Sequence, residues 1–397
     1  MSIMMEQFMP EKFISPTLKT IPPSGIRKFF DLVAQTKDVI SLGIGEPDFV
    51  SPWHAREACV YSLEKGYTMY TSNMGLPELR LEIVKYLARR FDLEYSAKDE
   101  VIVTVGASEA VDMAFRTVIC PGDEVLIPEP CYVSYRPCAI LAGGVPVSLE
   151  TTQETEFKVT PEMLEKSITP KTKALVLSYP NNPTGAILNR EELEALARVI
   201  IKHDLLVISD EIYGELTYEG SHFSIASLPG MRDRTILISG VSKAFAMTGW
   251  RIGYVAAHRD FIAGMVKVHQ YTLLCAPVMG QKAAIEAFSS CFGEVLNMVE
   301  EYDQRRRIIT KRLNDMGLDC FEPKGAFYVF PSIKNTGLSS EEFAAQLLAE
   351  GKVAVVPGNA FGSCGEGFIR CSYAASLKQI TEAMNRMERF VEKKIRC

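Results

Sequence analysis

Seven short apolar runs between residues 100 and 258 constrain this chain more than any other feature. They are EVIVTV (100–105), DEVLIP (123–128), GVPVSLE (144–150), KALVLSYP (173–180), LLVISDE (205–211), TILISG (235–240) and IGYVAA (252–257). Most are apolar at every position, where a half-buried strand would alternate. A strand that must be apolar on both sides is one covered on both sides. Between the runs lie stretches with helical spacing and acidic first turns, such as NREELEALARVIIKHD (189–204). This alternation predicts an α/β fold built on a mostly parallel seven-stranded sheet with helices on both faces.

The pattern changes after Pro277. Ile285, Phe288, Phe292, Val295, Val299 and Tyr302 recur at spacings of three and four, which predicts one long amphipathic helix. It would run as far as NDMG (314–317), where a glycine offers a stop. The segments GAFYVFPSI, VAVVPGNAFG and GFIRCSYA follow, set among further helical patterns. A chain of 397 residues exceeds one compact domain. The expected division is an N-terminal segment (1–44) packing with a small domain, a large domain (45–280) and a small α+β domain (281–397).

Composition excludes several classes. With 49 acidic against 43 basic residues the formal charge is −6, so no basic face for nucleic acid is expected. Arg305–Arg306–Arg307 stands close to Glu300, Glu301 and Asp303 and reads as a solvated helix face. The ten cysteines are scattered with no C-x-x-C pair, so no zinc or redox motif is expected; they read as buried free thiols in a reducing cytoplasm. The N-terminus has no signal-peptide apolar core. No apolar stretch approaches the roughly 18 residues that cross a bilayer, so neither a membrane nor a secretory location is expected.

In open α/β sheets ligands bind beyond the carboxyl ends of the strands, and here those ends are polar. The first leads into Gly106-Ala107-Ser108, where free N–H groups and a hydroxyl at a helix start suit an anion as well as a simple cap. VLIPEP leads to Tyr132, VLSYP to Asn181-Asn182-Pro183-Thr184-Gly185, LLVIS to Asp210-Glu211-Ile212-Tyr213, and TILIS to Gly240-Val241-Ser242-Lys243. Turn chemistry alone would explain NPTG. A nucleotide phosphate-binding loop would need G-x-x-x-x-G-K-[ST], which is absent, and GIGEPDF (43–49) lacks the last glycine of a dinucleotide fingerprint.

One ligand uses every feature together: pyridoxal 5′-phosphate. Its phosphate would sit at the helix start near Ser108 with Arg251 as counter-charge, and its ring on Tyr132. Asp210 would keep the pyridine nitrogen protonated, Asn182 and Tyr213 would donate to the phenolic oxygen, and Lys243 would form the Schiff base.

NNPTG, SDEIY and SKAFAMTGWRIGY, in that order, resemble the fold-type I aminotransferases of class I/II over essentially the whole chain. YTSNMG (70–75), PKGAFYVFP (323–331), VAVVPGNAFG (353–362) and IRCSYA (369–374) add to the likeness. The resemblance implies an aspartate-aminotransferase-like fold whose small domain comes from the two chain ends. It implies that Lys243 is the Schiff-base lysine and proton shuttle, and gives Asp210, Tyr213, Asn182 and Tyr132 the roles above. Gly106, Ala107, Ser108 and Arg251 fall in the phosphate cup; Arg370 matches the arginine that grips the substrate α-carboxylate, and Gly45 a glycine lining that site. Tyr70 resembles a tyrosine that reaches the phosphate of a neighbouring subunit, which implies a homodimer with shared sites.

Gly240 departs from the pattern, because many relatives carry serine there; Ser242 and a backbone amide could compensate. The reaction implied is ping-pong transfer from an L-amino acid, broad or aromatic, to a 2-oxo acid such as 2-oxoglutarate. No second arginine is placed for a side-chain carboxylate. The segment GIRKFFDLVAQTKDVISLGIGEPDF (25–49) resembles aromatic aminotransferases and the N-acetyl-diaminopimelate branch, and VHQYTLLCAP (268–277) the latter. That branch, an aspartate aminotransferase and a carbon–sulfur β-lyase remain alternatives. A regulator with an aminotransferase-like sensor is disfavoured, since about 40 residues precede GIGEP, too few for a helix-turn-helix domain.

Overall fold

The continuous apolar runs become the centre of the molecule, as seen in a computed structural model that describes residues 9–23, 25 and 36–395. After β1 (Ile40–Ser41), the runs supply β2 (Val101–Thr104), β3 (Glu124–Glu129), β4 (Val145–Glu150), β5 (Thr172–Ser178), β6 (Leu206–Asp210), β7 (Thr235–Gly240) and β8 (Gly253–Ala256). They form one sheet in the order β2-β8-β7-β6-β5-β3-β4. β8 runs antiparallel to β2 and β7, and the remaining pairs are parallel.

The reason for apolar residues at every strand position is visible in the packing. Val125, Ile127, Val176, Ile208, Ile236 and Ile238 enter one core cluster beneath the helix Gly106–Val118. Their neighbours Leu126, Leu175, Leu177 and Val207 enter another, with Leu193, Leu196 and Ile200 of the helix Arg190–Lys202. Each fully buried aliphatic side chain stabilises by about 1.5–3 kcal/mol, so both faces contribute. Asn189 starts that second helix with a capping box, exchanging hydrogen bonds with Glu192.

The C-terminal part adds β9 (Tyr328–Val329), β10 (Val353–Ala354), β11 (Val356–Pro357) and β12 (Ile369–Ser372). β11, β12 and β9 form an antiparallel sheet, while β1 pairs in parallel with β10, bringing Leu42–Gly45 alongside. The helix Leu377–Ile395 closes over this region.

Three expectations need correction. The long helix is two, Val278–Ser290 and Phe292–Asp315, meeting at Cys291 with φ −101° and ψ 19°. The apolar spacing continues across the junction, so periodicity hides it; Ser289-Ser290-Cys291 and Gly293 are poor helix formers and yield there. The predicted stop holds, with Gly317 at φ +84° just past the end.

The arginine run is not a solvated face. Arg306 is 2% exposed, ion-paired to Asp303, Glu219 and Glu322 and bonded to the Pro323 carbonyl, while Arg305 binds Asp48 and Glu301. Only Arg307 reaches solvent. A solvated-face reading took nearby acids as a sign of water, whereas Glu301 and Asp303, themselves open to solvent to different degrees, ion-pair with two arginines that are buried. Of the described cysteines, all free, Cys131, Cys291, Cys320 and Cys371 are buried but Cys120 is exposed; Cys397 lies outside the described residues, as do positions 26–35 of the N-terminal segment. Among the described residues no helix is long and apolar enough to cross a membrane, and no cluster could hold a metal.

Candidate active site

The carboxyl ends of the central strands surround a cavity of about 260 Å³, near the small end for ligand sites, typically ~300–1,000 Å³. From the expected set, Gly45, Ala107, Ser108, Tyr132, Asn182 and Asp210 line it, together with Tyr213, Ser242, Lys243, Arg251 and Arg370. Gly106 backs onto this wall; any side chain there would strike the Arg251 guanidinium. Tyr70 is not part of the cavity wall and stands 83% exposed.

β7 ends at Gly240, and the turn after it carries Lys243 inward. The turn is closed by backbone bonds from Phe245 N–H to the Val241 carbonyl and from Met247 N–H to the Ser242 carbonyl. Lys243 Nζ donates to the Gly45 carbonyl at 2.7 Å. Burial lowers its pKa to about 8, assisted by Arg370 and Arg251 and opposed by Glu46 and Asp210. Arg251 reaches the cavity from a left-handed backbone, φ +56° and ψ 50°, a conformation costing a non-glycine residue roughly 1–2 kcal/mol.

Asp210 closes β6 and is buried. Its Oδ2 accepts from the Tyr135 hydroxyl at 2.8 Å and its Oδ1 from Ile212 N–H at 3.2 Å. Burial nonetheless raises its pKa to about 6, the two hydrogen bonds opposing that rise. Tyr135 Oη also lies 2.8 Å from Ser178 Oγ, so with its one proton on Asp210 it can accept from the serine.

Arg370, on β12, is held between the Tyr328 and Phe361 rings, with centroids 4.4 and 4.8 Å away. It donates to Asn182 Oδ1 at 2.9 Å and to the Gly43 carbonyl at 2.7 Å. Its Nε is buried without a partner, a costly state that an incoming carboxylate would relieve. Tyr213 and Tyr328 hydroxyls pair at 2.8 Å. If Tyr328 donates, the Tyr213 proton is free for a ligand, and Asn182 keeps its amide hydrogens available.

Gly240 has a local explanation. It pairs with Gly253 across β7 and β8, and a Cβ there would come 2.8 Å from the Ile252 carbonyl and 2.9 Å from Gly253 Cα. A Cβ on Gly253 would lie 2.5 Å from Ala107 N. The two strands approach each other and the helix start too closely for a side chain at either place.

Sequence reasoning missed Tyr135, Ser178, Thr248 and Tyr328, which complete the cavity wall with the apolar Val111 and Ile212. Tyr135 stands three residues after Tyr132, at the start of the helix Tyr135–Leu141, a spacing that could have drawn attention to it. Tyr328 lies within the quoted PKGAFYVFP. Thr248 donates to Glu46, a contact between segments 202 residues apart with no sequence signal.

The residues fit pyridoxal 5′-phosphate: an anion cup at a helix start, a buried carboxylate for a ring nitrogen, phenol and amide donors, and a lysine of lowered basicity. Comparisons with known proteins show the family. The family model described as "Aminotransferase class I and II" matches residues 37–387. The chain is similar to "Putative aminotransferase YugH" of Bacillus subtilis, 54% identical over 96% of this chain and 99% of that protein. It is similar to an aspartate aminotransferase of Pyrococcus abyssi, 49% identical over 96% and 99% of the two chains. The solved aromatic aminotransferase of Pyrococcus horikoshii OT3 superposes with a TM-score of 0.88 at 47% identity, covering 93% of this chain and 99% of that one.

Proposed function

The chain belongs to the class I and II aminotransferases, enzymes that transfer amino groups with pyridoxal 5′-phosphate, and on that premise we propose that the cavity around Lys243 holds this cofactor and an L-amino acid or 2-oxo acid. The observation that carries the reading is convergence. Lys243 Nζ, the Asp210 carboxylate and the Arg251 and Arg370 guanidinium groups, from three separate chain segments, line one cavity.

Bound there, the cofactor would supply a ring that accepts the charge left when the substrate α-carbon loses a proton. The chain's residues set up that event. Ala107, Ser108, Ser242 and Arg251 would hold the phosphate, with Gly106 giving the backbone its close approach. Tyr132 would cover the ring, Tyr213 and Asn182 would donate to its phenolic oxygen, and Asp210, braced by Tyr135, would keep its nitrogen protonated. Arg370 would hold the α-carboxylate with Gly45 nearby. Lys243 Nζ, with a pKa near 8, is neutral often enough near neutral pH to take the α-proton and return it.

The donor is a neutral or aromatic L-amino acid and the acceptor a 2-oxo acid such as 2-oxoglutarate. Among the described residues the cations on the cavity wall are Lys243, Arg251 and Arg370. All three are committed to the cofactor or the α-carboxylate, so a second carboxylate, whether of aspartate or of 2-oxoglutarate, would rely on neutral hydrogen-bond donors, whereas Tyr132, Tyr328 and Ile212 offer apolar surface to an aromatic side chain. An aspartate donor is the second reading, favoured by the name of the Pyrococcus abyssi relative. A panel of donors with 2-oxoglutarate decides: phenylalanine or tyrosine is expected to exceed aspartate in kcat/KM, and the reverse order would favour the second reading.

The working form is a homodimer in which Tyr70 of the partner subunit completes the phosphate site. Support comes from the exposure of Tyr70 and the adjacent Met69, 83% and 80%, with Trp53 a further exposed apolar side chain at 58%. Lys243→Ala is expected to bind the cofactor without turnover, and full transamination by that variant would remove Lys243 from its role.

A further inference from the structure

Glu109 and His269 do not line the cavity and take no part in the chemistry above, yet they are buried against the turn that forms the anion cup. His269, near the end of the helix Arg259–Thr272, has no exposure, and the Glu109 side chain 11%. Glu109 Oε2 accepts from Val105 N–H at 2.5 Å. Val105 is the residue that begins the helix Gly106–Val118, so this carboxylate oxygen fixes the turn immediately before Gly106, Ala107 and Ser108.

The other oxygen, Oε1, lies 2.5 Å from His269 Nδ1. His269 Nε2 is buried with no partner. The arrangement that leaves no buried N–H unpaired is a neutral imidazole protonated at Nδ1, donating to Glu109. Glu109 thus remains a charged acceptor for two N–H groups, one on the cup's own turn and one on a separate helix.

That helix is itself anchored. The His269 carbonyl accepts from the N–H groups of Leu273 and Leu274, and the Leu274 carbonyl accepts from Asn73 Nδ2 at 2.8 Å. Meanwhile Val103 N–H donates to the Met74 carbonyl. The edge strand β2, the segment 73–76 and the end of the helix Arg259–Thr272 form a frame, and Glu109 is where the frame meets the cup.

We propose that Glu109 and His269 are positioning residues for the phosphate cup: His269 orients Glu109, and Glu109 holds the Val105–Gly106 turn so that the N–H groups behind it converge on an anion. The proposal rests on the cofactor reading above. Its signature is selective loss of phosphate recognition, which general destabilisation would not produce.

The test titrates cofactor-free protein with pyridoxal 5′-phosphate and, separately, with pyridoxal, which lacks the phosphate, following absorbance. Glu109→Ala and His269→Leu should weaken pyridoxal 5′-phosphate about tenfold, the loss expected for one charged hydrogen bond. Pyridoxal should shift by less than about twofold. Glu109→Gln, which keeps an acceptor for Val105 N–H, should recover most of the affinity; with His269→Asn it serves where a harsher variant does not fold. Equal weakening of both ligands, or no weakening of either, overturns the proposal. Wild-type protein that does not prefer the phosphorylated ligand removes the cofactor reading as well.

Discussion

Lys243 and Asp210 sit in the same cavity with opposite problems. Burial makes the charged form of each expensive, lowering the amine to about 8 and raising the carboxyl to about 6. For Lys243 the folded pKa lies below the unfolded one, so the penalty is present below about pH 8 and disappears as pH rises past the unfolded value. Lys243→Met should therefore stabilise the cofactor-free protein by up to about 3 kcal/mol at pH 7, with the gain vanishing above about pH 10.5. For Asp210 the folded pKa lies above the unfolded one, so its penalty grows as pH rises from about 4 to about 6. Asp210→Asn should stabilise cofactor-free protein above that window and do nothing below it, while weakening the cofactor. Chemical denaturation across pH checks both; a Lys243→Met protein less stable than wild type at pH 7 would show that the amine is not held at a cost. Both residues were legible in the sequence, each being a charge at the end of an apolar strand. Tyr135 was not, because what makes it matter is a hydrogen bond to a residue 75 positions away.

At the scale of elements, the sheet was readable because most of its strands pack into two cores and so carry apolar residues at successive positions; the edge strand β4, with Val145 exposed, is the exception. The break at Cys291 was not, since both helices bury the same stripe across it. The arginine run was misread because charge pattern reports neighbours along the chain and not burial. Arg306 ties the helix Phe292–Asp315 to Glu219 and to the Pro323 carbonyl, next to the segment carrying Tyr328. Arg306→Ala should cost about 1–3 kcal/mol, chiefly by leaving the buried Pro323 carbonyl without its donor, visible as a lowered denaturation midpoint, whereas Arg307→Ala should change it little. Equal effects would contradict the assignment. Gly253→Ala should weaken the cofactor at least as much as it weakens the fold, because the new Cβ meets Ala107 N in the cup itself.

At the scale of the whole molecule, residues from both ends of the sequence meet at one site: Gly45 after β1, the strand ends of the large sheet, and Arg370 on β12. The parallel pair β1–β10 is what brings the first of these to the last. Family membership followed from motif order, but substrate choice did not, because the motif residues on the cavity wall serve the cofactor and the α-carboxylate and leave the side-chain contacts to no motif. The shared-site proposal predicts that inactive Lys243→Ala and impaired Tyr70→Ala proteins regain activity when refolded together, since a mixed dimer would contain one intact site; no recovery would place Tyr70 outside its partner's site. The most direct test of the account adds amino acids one at a time to cofactor-loaded protein with no acceptor present, measuring the cofactor's absorbance and the 2-oxo acid released. The account predicts conversion of the cofactor to its aminated form with about one 2-oxo acid per site, none of it in Lys243→Ala. Absence of conversion with every amino acid, or conversion in Lys243→Ala equal to wild type, would contradict it.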